Sequence, residues 1–114
     1  MAFGTYNGAV ANSTSTVSVT CTNTTPYNVG LNAGTATGAT VTTRQMTNGS
    51  AVLSYSLTSD SGHSVNWGNT VGTNTVAGTG NGSAQSLTVY GQVAAGQYVT
   101  PGAYADTITA TVTY

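Results

Sequence analysis

The feature that most constrains this chain is strict alternation. Its closing stretch, "DTITATVTY", sets Ile108, Ala110, Val112 and Tyr114 on one side and threonines on the other. A period of two is the signature of a β-strand with one apolar and one polar face. A strand carries backbone donors and acceptors on both edges, so the segment raises the question of what pairs with it.

The same period recurs upstream, between clusters of Gly and Asn. In "STVSVTCT" it aligns Val17, Val19 and Cys21, in "YNVGLN" Tyr27, Val29 and Leu31, and in "VLSYSLT" Leu53, Tyr55 and Leu57. In "SLTVYGQV" it aligns Leu87, Val89, Gly91 and Val93, with Gly91 read as a bulge or a close backbone approach. The first segment, "FGTYNGAV", is weaker because two glycines interrupt it. "NAGTATGAT", "TSDSGHSVNWGNT" and "AGTGNGSAQ" read as turns and surface loops. Thr, Val, Tyr, Asn and Gly favour strands and turns over helices. The reading is an all-β antiparallel sandwich of six or seven strands in a single domain, residues 1–114, without helix.

Charge sets the surface chemistry. Only 3% of the 114 residues are charged, namely Arg44, Asp60 and Asp106, against about a quarter in an ordinary domain. One arginine cannot build a basic patch, which excludes nucleic-acid binding and electrostatic attachment to anionic lipid. No apolar run approaches the roughly 20 residues of a membrane helix, so membrane insertion is not expected. The opening "MAFGTYNGAV" lacks the basic and apolar regions of a signal peptide. A surface of Thr, Ser, Asn, Gln and Gly suits packing against copies of the same chain or an extracellular setting.

Chemistry is sparse. There is one His, one Cys and no Glu, and the two aspartates lie far apart. Asp60 and His63 share one short loop, which does not supply base and orienter for a positioned serine, and no nucleophile-elbow motif is present. The chain reads as a non-enzyme with no metal and no cofactor. His63 reads as a polar loop residue, and Trp67 as a core plug, with a sugar-stacking platform as the alternative. The sequons at Asn12, Asn23, Asn48 and Asn81 arise easily in so Asn- and Thr-rich a chain. Cys21 is read as a buried small hydrophobe or as half of a disulfide whose partner lies outside this chain.

Taken in order, "AFGTY", "VSVTCTN", "PYNVGLNAG", "TRQMTNG", "LSYSLTSDSGHSVNWGN", "LTVYGQVAAGQYVTPGAYADT" and "ITATVTY" resemble the spore coat protein U domain family, which includes subunits of archaic chaperone–usher pili. The resemblance covers nearly the whole chain. It implies an incomplete immunoglobulin-like sandwich, completed by a donor strand from a neighbouring subunit and beforehand by a periplasmic chaperone. It further implies export through an outer-membrane usher into an extracellular, cell-surface fibre made of copies of the subunit, supporting adhesion and biofilm formation. The groove for the donor is expected between residues 3–10 and 107–114, with Phe3, Ile108, Ala110, Val112 and Tyr114 as its contacts. In the family a donor segment and a cysteine precede "AFGTY", and that cysteine pairs with the one in "SVTCT". Here Met1 directly precedes the motif, so donor strand, disulfide partner of Cys21 and leader are expected outside this sequence. Two rival readings share the fold: a tip adhesin or carbohydrate-binding module with aromatic loops near Trp67, and a spore-coat or cell-envelope layer protein.

Overall fold

The computed structural model describes residues 5–6, 8–49, 51–97 and 102–114. They form strands and turns only: β1 (Thr5–Tyr6), β2 (Ala11–Thr20), β3 (Pro26–Leu31), β4 (Arg44–Asn48), β5 (Ala51–Thr58), β6 (Val76–Thr79), β7 (Ala84–Val93), β8 (Gly102–Ala103) and β9 (Ala110–Thr113). A four-stranded sheet runs β2-β7-β5-β4, a three-stranded sheet runs β6-β3-β9, and β1 pairs with β8 in a separate ribbon. All of these strand pairs are antiparallel. The body measures 48 × 23 × 22 Å.

Alternation places the core. The ladder of β2 with β7 runs unbroken from Ala11↔Val93 to Thr20↔Ala84. Directly opposed residues share a face, so Val17↔Leu87 and Ser15↔Val89 turn to one side, while Thr14↔Tyr90, Thr16↔Thr88 and Ser18↔Ser86 turn to the other. The register continues past Gly91 on both of its neighbours, through Ser13 and Leu57, so Gly91 makes no bulge. Val19, Tyr27, Val29, Leu31, Leu53, Leu57, Val89 and Val93 fill the space between the sheets. Trp67 is buried at 1% exposure, and its indole N–H donates to the Val29 carbonyl at 2.8 Å. The Tyr27 hydroxyl donates to Gln85 Oε1 at 2.8 Å, joining β3 to β7.

The least expected core residue is Arg44, with no exposed surface. Its guanidinium donates to four carbonyls: Asn32 (3.0 Å), Val41 (2.9 Å), Leu31 (3.0 Å) and Trp67 (2.6 Å). It thereby ties β4 of one sheet to the end of β3 in the other and to the loop carrying Trp67. Burial lowers its pKa from the usual arginine value, while electrostatic interaction with Tyr55 and Asp106 opposes that shift. Carbonyls that would otherwise be orphaned at a strand end are satisfied by one fork of donors.

Three elements depart from the sequence reading. The strand count exceeds six or seven because β4 and the short β6 and β8 carry little alternation. β4 hides its pattern because Arg44 occupies an inward position beside Met46. β6 falls partly within the stretch read as a loop, "AGTGNGSAQ"; its Gly78 lies under the Tyr27 ring, where a Cβ would collide with the phenol carbons. The closing strand is shorter than its alternation: regular pairing covers Ala110–Thr113 only, and side-chain bonds hold the residues before it.

Removing the guanidinium leaves four carbonyls short of a donor, those of Leu31 and Trp67 buried and those of Asn32 and Val41 partly so. Arg44→Met is expected to lower unfolding free energy by about 3–5 kcal/mol, read from the urea midpoint at unchanged m-value. A loss below about 1 kcal/mol, the size of one ordinary hydrogen bond, would contradict a bracing role.

Candidate functional site

The site begins with register. β9 lies antiparallel to β3, pairing Leu31↔Ala110, Gly30↔Thr111, Val29↔Val112 and Asn28↔Thr113. It ends its sheet, so its second edge has no strand partner among the described residues. Opposed residues share a face, which puts Ala110 and Val112 on the side of Leu31 and Val29. Those two β3 residues are sealed, at 2% and 0% exposure, whereas Val112 is 36% exposed and Tyr114 88%. Ala110 is exposed as well, and Ile108, half-buried, packs against the core. The inner face of the last strand is therefore uncovered while its neighbour's is closed.

The backbone at this edge is also open. The Asn32 N–H donates to the Thr109 carbonyl (3.1 Å), and the Leu31 N–H points away from β9 to the Gly68 carbonyl (2.9 Å). Antiparallel ladders alternate, so Thr111 and Thr113 direct their N–H and C=O groups to β3. Those of Ala110 and Val112 point to the free edge. Apolar side chains and unpaired amides thus lie together on a strip that fits an extended segment.

Side chains hold the approach to this strand. Asn32 Oδ1 accepts the Thr109 N–H at 3.0 Å. Asp106 Oδ1 accepts the Thr35 N–H (2.9 Å), the Thr35 hydroxyl (3.1 Å) and the Thr107 N–H (2.8 Å). Asp106 Oδ2 accepts the Tyr55 hydroxyl at 2.6 Å. Burial, and then that hydrogen bond, push the Tyr55 phenol well above its usual range. Gly34 is required here: its φ is +87°, and a Cβ would overlap the Asp106 carboxylate.

Among the other residues singled out by sequence, Phe3 lies outside the described residues. Tyr6, in the same segment, is buried, and its hydroxyl donates to the Ala94 carbonyl at 2.8 Å. Among the described residues, β1 pairs with β8 and not with β9. Cys21 is a free thiol, half-buried against the core rather than fully enclosed. Asp60 binds its own loop, accepting the Ser64 hydroxyl (2.6 Å) and the N–H groups of Ser64 (3.0 Å) and Val65 (2.9 Å). The His63 ring stands edge-on to Tyr90, with centroids 6.4 Å apart. Trp67 plugs the core, which removes it as an exposed stacking platform. Sequence reasoning missed Asn32, Thr35 and Tyr55 as supports of the last strand. The available signal was the rarity of charge, since a chain with one cation and two anions places each of them deliberately.

The family model described as Spore Coat Protein U domain matches residues 1–111. Protein U of Myxococcus xanthus is similar to the chain, 38% identical over an alignment 126 positions long, gaps included, that covers 98% of this chain and 70% of that protein.

The Asp60 loop has a defined response to acid. Its carboxylate is held below the usual value, first by the Ser64 hydroxyl and then by the Val65 N–H. A depressed folded-state pKa adds stability that is complete above the unfolded value of about 3.9 and is lost as pH falls through the lower folded value. The Ser64 and Val65 amides are expected to lose protection from hydrogen exchange over that acid window, after correction for intrinsic rates. In Asp60→Ala the protection should be low at every pH. A wild-type profile without an acid step would contradict this account.

Proposed function

Because the chain belongs to the Spore Coat Protein U domain family, we propose that it is a structural subunit of a bacterial surface pilus or fibre. In this reading subunits join by donor-strand complementation: an extended segment of a neighbouring copy lies along the free edge of β9. A periplasmic chaperone occupies the edge first, and an outer-membrane usher exports the growing fibre to the cell surface, where it supports adhesion and biofilm formation. The observation that carries the reading is the uncovered inner face of β9, with Val112 exposed opposite the sealed Val29. Scarcity of charge supports it, since copies of a chain with net charge −1 repel one another weakly. The burial of Trp67 takes away the aromatic platform on which the tip-adhesin alternative rested.

The energetics suit such a role. A donor strand that buries four or five apolar side chains, each worth about 1.5–3 kcal/mol, contributes on the order of 6–15 kcal/mol. That equals the whole stability of an ordinary domain, about 5–15 kcal/mol. A subunit built this way is marginal alone and durable in the fibre.

The test compares two neighbours on β9. Val112→Asp places an unpaired carboxylate on the inner face, where its desolvation opposes docking of a strand. Thr111→Asp places the same charge on the other face. Fibre assembly in a strain expressing the assembly machinery is expected to fail for Val112→Asp and to persist for Thr111→Asp. Equal tolerance of both would overturn the donor-strand reading.

A further inference from the structure

We infer that Asp106 is a positioning residue that sets the register of the last strand, and so decides which side chains face the open groove. The functional meaning of this inference rests on the donor-strand reading; its physical content concerns one chain alone. The need for such a device follows from the sequence of β9. Thr and Val are nearly the same shape, and the segment alternates Thr107, Thr109, Thr111 and Thr113 with Ile108, Ala110, Val112 and Tyr114. A slip of one residue would exchange the two sets between faces. Where one face is fully buried the hydrophobic effect forbids that exchange, but here Ala110 and Val112 are exposed in the isolated subunit. Four paired residues against β3 are a weak determinant of register.

Asp106 stands where the chain leaves one sheet for the other. Just before it, Ala105 exchanges backbone hydrogen bonds with Thr47 at the end of β4, at 2.9 and 3.1 Å. Just after it, Thr109 is fixed to Asn32 beyond the end of β3. Between these points both Asp106 oxygens are engaged, one by Thr35 and Thr107, the other by Tyr55 of β5. A carboxylate with donors from two directions cannot move by the roughly 3.3 Å of one strand residue without losing them. The conformation of Gly34 opens the space the carboxylate occupies.

The experiment reads register inside the subunit, without assembly. In a Cys21→Ser background, Asn28→Cys is combined in turn with Val112→Cys, Thr113→Cys or Tyr114→Cys, and the extent of disulfide formation under a mild oxidant is measured. Only directly opposed residues bring Cβ atoms within bonding range. With Asp106 intact, the 28–113 pair is expected to dominate by about tenfold or more, the factor that loss of one or two charge-assisted hydrogen bonds would erase. In Asp106→Ala the preference should fall about tenfold, with bonds appearing at 112 or 114. Thr35→Val and Tyr55→Phe, which each remove one donor and spare the backbone, should shift it partially in the same direction. These milder variants decide the matter if Asp106→Ala does not fold. An undiminished preference for 113 in all folded variants would overturn the inference, whatever happens to fibre assembly.

Discussion

The buried guanidinium of Arg44 is the constraint around which this sandwich is organised. A strand that leaves a sheet exposes carbonyls, and a core of aliphatic side chains offers them nothing. Arg44 answers four of them at once, from β4 to the end of β3 and to the Trp67 loop. The two sheets are thus held by directional bonds as well as by apolar contact. The dependence is mutual: an unpartnered cation in this position would be costly, so the surrounding chain has to arrange its carbonyls to receive it.

From that junction the geometry propagates to the last strand. Asn32, whose carbonyl takes one Arg44 bond, uses its side chain and its N–H to hold Thr109. Tyr55, opposite Arg44 in the β4–β5 ladder, donates to Asp106. The segment leading into β9 is therefore fixed by the same polar cluster that joins the sheets. Beyond it the strand has a partner on one side only among the described residues. The molecule combines a hydrogen-bonded approach with an edge left open among the described residues, and that combination suits the proposed strand docking: a strip tied in place by side-chain bonds leaves less ordering to the moment of binding.

Much of the fold could be read where alternation coincides with burial. The inward sets Tyr27/Val29/Leu31 and Leu53/Tyr55/Leu57 are all buried, as their period of two requires. The reading failed where a polar residue took a core position or a strand was too short to show a period. Arg44 breaks the apolar alternation of β4, so no strand is read there, and Gly78 falls in a stretch read as loop because its need for a glycine comes from the Tyr27 ring above it. The apolar stripe of Ile108, Ala110, Val112 and Tyr114 was legible, but its exposure was not, since burial depends on which elements surround a strand. Asp106 was visible only as an isolated charge; its partners Thr35 and Tyr55 are 71 and 51 residues away in sequence.

The central claim is that the free edge of β9 receives a strand from another subunit. Hydrogen exchange of individual amides measures this directly, because the two sets of β9 amides point in opposite directions. In the isolated subunit the Ala110 and Val112 amides should exchange quickly, while those of Thr111 and Thr113, directed to β3, are protected. In assembled fibres Ala110 and Val112 should become protected as well. Rapid exchange at Ala110 and Val112 in fully assembled material would contradict the account.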